Sequence, residues 1–272
     1  MTPLPPTAIR NDVGFDDLGP SNTDSSDIAL LMVPGWCGDR AVFAPLTRLL
    51  VEEHRVVTTD LRGHGGYAHQ TNDFDSARQT QDLVDLADER GLERFVPVAL
   101  SHAGWFAIEL RRRLGADRVP GILLLDWMVL GTPPGFDAAL AGLQSPVAWV
   151  EVRRELFGMW TTRVRHQGVH DYVASMGAYG FEHWSRAGRE ISDGFAAEGT
   201  PLAALEAMSP PCPTLHLYAQ PADDGYLAAQ EQVAAQHPWF RARRLEAHSH
   251  FPVLEVPEAM AGAITEFTRS LG

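Results

Sequence analysis

The 272-residue chain has little cysteine, few basic side chains and no long apolar run. Cys37 and Cys212 are too few for a disulfide framework and show no metal-ligand spacing, which predicts a reducing compartment. The formal net charge of −13 argues against nucleic acid and anionic membranes as partners. No stretch approaches the roughly 20 apolar residues of a membrane span. Residues 1–27 lack the apolar core of a signal peptide. A soluble, cytoplasmic protein is therefore expected.

Short apolar runs alternate with helical patterns, which predicts a parallel sheet covered by helices on both faces. Within residues 132–208, rich in Trp, Tyr and Met, the alternation stops. We therefore predict an α/β core of residues 1–131 and 209–272, with 132–208 as an inserted helical cap that closes an apolar pocket. The predicted strands are 28–33, 55–59, 95–100, 121–125, 214–218 and 241–245, and the predicted helices are 41–52, 76–90, 104–114, 225–236 and 257–270.

Ser101 follows the third predicted strand and precedes a helical pattern, as the nucleophile elbow of α/β-hydrolases does. The elbow pattern is G-x-S-x-G, but Ala99 and Ala103 stand at the two glycine positions. Alanine is small enough for the tight turn but lacks glycine's freedom at positive φ. The motif predicts an α/β-hydrolase fold, with a mostly parallel sheet flanked by helices. It supports a hydrolytic serine less strongly.

A histidine and an acid follow other predicted strands. His250 lies in the loop after the last strand, which suits a general base near neutral pH, with His248 as the fallback. Such a base needs an acid to orient its imidazole. Asp126 directly follows the fourth predicted strand and is the preferred acid. Asp223 or Asp224, in the loop after the fifth strand, is the alternative.

The turn Pro34-Gly35-Trp36-Cys37 follows the first predicted strand, at the usual place of an oxyanion-binding loop. Backbone N–H groups of Trp36 and His102 are predicted to converge there on a carbonyl oxygen of the substrate. His64 lies in a turn that is common in this fold, and we assign it no role.

Together these motifs resemble a narrower group, the cofactor-independent 2,4-dioxygenases that cleave 3-hydroxy-4(1H)-quinolones and 3-hydroxy-4(1H)-quinaldines. Within that group the chain is similar to quinolone-signal dioxygenases, which act on 2-heptyl-3-hydroxy-4(1H)-quinolone. The resemblance runs from about Leu30 to Phe267. It is carried by Pro34-Gly35-Trp36-Cys37, Ser101-His102, Leu125-Asp126-Trp127, Trp160, Gln236-His237-Pro238-Trp239-Phe240 and His250-Phe251-Pro252.

The resemblance implies a reaction without metal or flavin, with dioxygen as co-substrate. His250 and Asp126 would remove the proton of the 3-hydroxyl, and the resulting anion would react with dioxygen. A peroxide at C2 would close onto C4, and the ring would open with loss of carbon monoxide to give an N-acylanthranilate. Ser101 would then be a hydrogen-bonding residue rather than a nucleophile. Trp36 and His102 would hold the substrate, and Trp160 would form part of an aromatic wall.

The chain departs from the quinaldine-cleaving members, which carry histidines where Gly38 and Leu100 stand here. Both positions are expected to line the cavity, which predicts a larger and more apolar site. A longer 2-alkyl chain is then favoured, since each buried methylene contributes about 0.8 kcal/mol. Degradation of a bacterial quorum-sensing signal is the implied role.

Two other functions stay open at this point. A serine esterase or other hydrolase would use Ser101, His250 and an aspartate. A ligand-binding relative without turnover is disfavoured by the complete Ser/His/Asp set.

Overall fold

The computed structural model describes residues 14–19, 28–70 and 74–272. Seven strands form one sheet in the order β1-β3-β2-β4-β5-β6-β7. The pair β1–β3 is antiparallel and all other pairs are parallel, which confirms the mostly parallel sheet. The strands are β1 (Phe15–Leu18), β2 (Ala29–Val33), β3 (Val56–Thr59), β4 (Phe95–Leu100), β5 (Ile122–Leu125), β6 (Thr214–Tyr218) and β7 (Phe240–Arg244).

The central strands are buried along their whole length, as their sequences require. β2, β4 and β5 read ALLMV, FVPVAL and ILLL, and every residue in them is buried. Continuous apolar runs of this kind belong to parallel strands with helices on both faces. The edge strand β7 instead alternates less and more exposed positions, with Phe240 as its one buried residue, and carries three arginines. Charges on an edge strand disfavour pairing with another chain.

Strand β1 is the one described strand that the sequence patterns missed. It is four residues long and contains two aspartates, so it has no apolar run to reveal it. Asp17 holds it in place through ion pairs with Arg55 at 2.8 Å and Arg90 at 2.7 Å. These arginines lie beyond β1 in the chain, so the strand depends on tertiary contacts.

Helices cover the sheet, and their positions follow the predicted ones closely. The predicted segment 41–52 is divided into a 3-10 turn at Arg40–Phe43 and helix α1. The helices outside the cap are α1 (Ala44–Leu50), α2 (Ser76–Glu89), α3 (Gly104–Arg118), α9 (Asp224–Gln236), α10 (Pro252–Glu255) and α11 (Pro257–Arg269).

Between β5 and β6, all of whose connecting residues are described, the chain forms five helices and no strand. They lie within residues 132–208, and we call them the cap; the exact division into core and cap stays a prediction. No helix in the described ranges is long and apolar enough to cross a membrane. The cap helices are α4 (Phe136–Leu143), α5 (Trp149–Trp160), α6 (Gln167–Met176), α7 (Phe181–Glu198) and α8 (Pro201–Glu206).

Gly104 allows the first turn of α3 to approach the loop after β5. A Cβ at this position would overlap the indole ring of Trp127, which is 1% exposed. Ser101 lies just before α3 and Asp126 just before Trp127. The close contact between Gly104 and Trp127 therefore sets the spacing between these two site residues.

We expect Gly104→Ala to lower the free energy of unfolding by about 2 kcal/mol, because forcing a methyl group into a close-packed core costs roughly 1–3 kcal/mol. Gly262→Ala in α11 is the matched control, since a Cβ there meets no atom within 4 Å. Alanine is favoured over glycine within a helix by about 0.5–1 kcal/mol. Urea unfolding of both variants measures the difference, and equal stabilities would contradict the assignment.

Candidate active site

The site lies where the carboxyl ends of the parallel strands meet. Cys37, Ser101 and Asp126 follow β2, β4 and β5, and all three adopt positive φ, at 58°, 56° and 46°. Such angles are uncommon for residues other than glycine and cluster at functional sites. Each strand therefore ends in a sharp turn that directs its next residues toward one place above the sheet.

At the elbow the left-handed conformation falls on Ser101 itself. Ala103 has φ −61° and ψ −14°, which any residue adopts, and Ala99 lies inside β4. Both alanines are completely buried, so their small size is what the turn requires. This explains why the elbow forms without the glycines of the G-x-S-x-G pattern.

His250 and Asp126 form the central hydrogen bond of the site. Nδ1 of His250 lies 2.8 Å from Oδ2 of Asp126, and the Asp126 side chain is completely buried. Oδ1 of Asp126 accepts backbone N–H groups from Ala219 at 2.6 Å and Gln220 at 2.9 Å. Since Nδ1–H donates to the carboxylate, Nε2 of His250 is left as the basic atom of a ring that lines the cavity.

The alternative acids do not take part in this pair. Asp223 accepts the backbone N–H of Tyr226 at 2.8 Å and so caps α9. Asp224 pairs with Arg244 at 3.0 Å, and its side chain is 93% exposed. The loop after β6 instead supplies the backbone N–H groups that hold Asp126. Of the two histidines considered, His248 is exposed and His250 is the one on the carboxylate.

Every site residue expected from the sequence lines one cavity of about 500 Å³. Cavities of this size suit small organic molecules. Most of its remaining wall is apolar and comes from the cap. The expected residues on its surface are Trp36, Gly38, Leu100, Ser101, His102, Asp126, Trp160 and His250.

Trp160, the last residue of α5, joins the cap to the catalytic loop. Its indole ring is stacked on the His250 imidazole, with ring centroids 5.2 Å apart and planes 21° apart. Its carbonyl accepts the backbone N–H of His250 at 3.1 Å. Trp160 therefore both forms part of the cavity wall and fixes the position of His250.

His102 is an uncharged wall residue. Its Nδ1 accepts the indole N–H of Trp127 at 3.1 Å, which places its proton on Nε2. Burial, with a smaller effect from nearby His250, lowers the pKa of His102 to about 3. A histidine with so low a pKa is a poor general base at neutral pH.

The backbone N–H groups expected to bind a substrate oxygen belong to Trp36 and His102, which both line the cavity beside Ser101. Within the described part of the chain neither N–H donates to another protein group. Both donors are thus available to a ligand.

His64, to which the sequence assigned no role, supports this turn. It is 1% exposed; its Nε2 accepts the backbone N–H of Cys37 at 3.1 Å, and its Nδ1 donates to the Arg62 carbonyl at 2.9 Å. Burial lowers the pKa of His64 to about 4, so the acceptor is retained at neutral pH. The only feature of the local sequence that could have indicated this role was a histidine between two glycines in the turn after β3.

Gly38 does not enlarge the cavity in the way its small size suggests. A Cβ there would overlap the hydroxyl of Tyr172, which comes from α6 of the cap. That hydroxyl accepts the Asp39 N–H at 3.1 Å and donates to the Asp39 carbonyl at 3.2 Å. Leu100 contributes an apolar side chain to the cavity wall.

The cysteines take no part in a disulfide, because Cys37 and Cys212 are both buried free thiols. Burial raises the pKa of Cys37 well above its usual value. Over residues 14–19, 28–70 and 74–272, no three His, Cys, Asp or Glu side chains converge to hold a metal ion.

Comparison with known proteins places the chain among close relatives. Residues 30–263 match the model of the alpha/beta hydrolase family. The 2-heptyl-3-hydroxy-4-quinolone dioxygenase AqdC1 of Rhodococcus erythropolis is 37% identical over 241 residues, or 89% of this chain and 86% of that one. The 1H-3-hydroxy-4-oxoquinoline 2,4-dioxygenase of Pseudomonas putida is 35% identical over 242 residues, or 89% of this chain and 91% of that one. The solved structure of AqdC with the product of ring cleavage of the Pseudomonas quinolone signal has a TM-score of 0.88 and 33% identity, covering 97% of this chain and 98% of that one.

Three buried histidines make stability depend on pH. Burial lowers the pKa of His64, His102 and His216 to about 4, 3 and 4. In the unfolded chain they titrate near the ordinary value of about 6.5, so at lower pH the unfolded state binds more protons. The stability they contribute is complete above about pH 6.5 and is lost as the pH falls toward their folded values.

We expect His64→Gln to reduce the slope of unfolding free energy against pH by about 1.4 kcal/mol per pH unit between about pH 6 and 4.5. Glutamine keeps an acceptor for the Cys37 N–H but takes up no proton. Urea unfolding of both proteins across this range measures the slopes, and parallel curves would contradict the role given to His64.

Proposed function

The chain belongs to the α/β-hydrolase family and, within it, to the quinolone ring-cleaving dioxygenases, and we propose that it cleaves 2-alkyl-3-hydroxy-4(1H)-quinolones with dioxygen. The His250–Asp126 pair, 2.8 Å apart in a largely apolar cavity, carries this proposal. This pair provides a base on the cavity wall next to Trp160. The substrate anion is the reductant, so dioxygen is the only co-substrate and neither metal nor flavin is needed.

The first step is removal of the 3-hydroxyl proton by Nε2 of His250. Asp126 stabilises the imidazolium that forms, because Nδ1–H already donates to its carboxylate. The N–H groups of Trp36 and His102 bind the oxygen at C4, on which the negative charge of the anion is shared. Ser101 completes the polar side of the cavity as a hydrogen-bonding group.

The anion then transfers electrons to dioxygen, which becomes bonded to C2. The outer oxygen attacks C4, and the O–O, C2–C3 and C3–C4 bonds break. C3 leaves with its own oxygen as carbon monoxide. One atom of dioxygen becomes the amide oxygen and the other joins the C4 oxygen in a carboxylate. The product is an N-acylanthranilate anion, and the proton held by His250 passes to solvent. Exclusion of water by the cap protects the anion during these steps.

The cap supplies a binding surface for the 2-alkyl chain. Apolar side chains from α4, α5, α6 and α7 line the cavity: Leu140, Leu143, Leu156, Met176 and Ile191. A heptyl chain adds six methylenes to the methyl group of a quinaldine, each contributing about 0.8 kcal/mol when buried. We infer that long-chain quinolones are preferred and that a cytoplasmic enzyme of this kind removes a quorum-sensing signal.

His250→Ala is expected to lower kcat/KM for 2-heptyl-3-hydroxy-4(1H)-quinolone by about 10²–10⁴-fold, since this is the usual contribution of a positioned general base. Ser101→Ala is expected to keep a measurable part of the activity, because the serine forms no covalent bond. The exposed His69→Ala serves as the control. Oxygen-dependent substrate loss and carbon monoxide release are followed together.

Two outcomes would contradict the proposal. One is a His250→Ala variant as active as the control. The other is ester hydrolysis by the wild-type protein that vanishes in Ser101→Ala, without carbon monoxide from the quinolone. The second would assign a serine hydrolase mechanism to the same residues.

The chain-length preference is measured separately, as kcat/KM for the 2-methyl, 2-butyl and 2-heptyl substrates. We expect it to rise along the series by at least about tenfold, because part of the burial free energy of about 0.8 kcal/mol per methylene favours the transition state. Equal or better use of the methyl compound would overturn the preference but leave the reaction itself unaffected.

A further inference from the structure

A second pocket adjoins the reaction cavity at the end of α5. It has a volume of about 630 Å³, and we call it the mouth pocket. Arg163 and His248 line both this pocket and the reaction cavity, so the two spaces meet at these side chains. The complete lining is Arg163, Val164, Arg165, His166, His248 and Glu255.

Two guanidinium groups of the mouth pocket lack a carboxylate partner. Arg163 and Arg165 are exposed, and neither forms an ion pair or a side-chain hydrogen bond with another described residue. Nearby Arg154, by contrast, pairs with Glu151 of the same helix. In a chain with a net charge of −13, an unmatched pair of arginines beside a cavity is a local reversal of charge.

The other groups around the pocket leave this positive charge in place. Among the described residues Glu255 is the one acid that lines this pocket, and its carboxylate already accepts the backbone N–H groups of His248 at 3.1 Å and Ser249 at 2.6 Å. His166 stands at the N-terminal end of the ten-residue helix α6, whose first N–H groups add partial positive charge. His170 donates to the Val164 carbonyl at 3.0 Å and so fixes the loop between the two arginines.

We propose that the mouth pocket is a carboxylate site, which receives the anthranilate carboxylate of the ring-opened product. This inference rests on the proposed function, because that reaction converts a ring without a carboxylate into a benzoate. Guanidinium groups bind carboxylates through charge-assisted, often bidentate hydrogen bonds. The site thus distinguishes product from substrate, and it draws the charged end of the product out of the apolar cavity while the acyl chain is still inside.

The test compares N-octanoylanthranilate with its uncharged carboxamide, 2-(octanoylamino)benzamide, in calorimetric titrations. The wild-type protein is set against an Arg163→Gln/Arg165→Gln double variant. A double variant of two exposed arginines remote from the pocket, Arg48→Gln/Arg243→Gln, is the matched control with the same change of charge. Binding is measured without turnover, so the result does not depend on catalysis.

We expect the wild type and the control to bind the carboxylate about five- to tenfold more tightly than the carboxamide at low salt, and this preference to weaken as salt is added. The Arg163→Gln/Arg165→Gln variant is expected to bind both compounds equally. The site would be overturned if that variant kept the preference, if the wild type showed none, or if the control lost it to the same extent.

Turnover of the quinolone by the wild type separates this inference from the proposed function. Turnover without a carboxylate preference would overturn the mouth pocket alone. A carboxylate preference that depends on Arg163 and Arg165, in a protein that does not cleave the quinolone, would support the site and contradict the reaction.

Discussion

Asp126 carries a carboxylate inside the core at the end of β5, where three hydrogen bonds replace water. Two come from the backbone of Ala219 and Gln220 and the third from His250. Leaving a buried acceptor without its donor costs about 1–3 kcal/mol, so each of these three contacts matters for stability. It requires the β5–β6 register and the loop after β7 to be correct at once. The geometry of the site and the packing at the carboxyl ends of β5 and β6 therefore depend on the same carboxylate.

Contacts between the cap and loops of the core complete the site that the turns after the strands begin to form. Trp160 stacks on His250 and holds its backbone, while Tyr172 fills the space beside Gly38 and holds Asp39 through both backbone groups. Both are cap residues that act on loops of the core. These contacts fix the positions of the His250 loop and of the turn at Asp39 relative to the cavity. The same fold that positions a nucleophile in hydrolases can thereby position a base and a substrate anion.

Most of the sheet was predictable, because its central strands are continuous apolar runs that end at turn residues. The predicted strands agree with the observed ones to within one residue, and Ser101, Asp126 and His250 line one cavity because parallel strands place their carboxyl ends together. Strand β1 was not predictable in this way, since ion pairs from Arg55 and Arg90 stabilise it. His64 was missed for a similar reason: its hydrogen bond to Cys37 joins two turns that are separated in the chain.

The sequence by itself determined the order of strands and helices, the residue types at the strand ends and the resemblance to ring-cleaving dioxygenases, because these follow from local patterns of burial and from motifs. The sequence favoured Asp126, which directly follows a strand, over Asp223 and Asp224 in a loop. Only the tertiary structure decided that Asp126 meets His250, because packing of distant segments brings the two side chains within 2.8 Å. It also decided that the hydroxyl of Tyr172 fills the space beside Gly38, although Tyr172 and the next residue, Asp39, are 133 positions apart in the chain. Long-range packing of this kind leaves no mark in any short stretch of sequence.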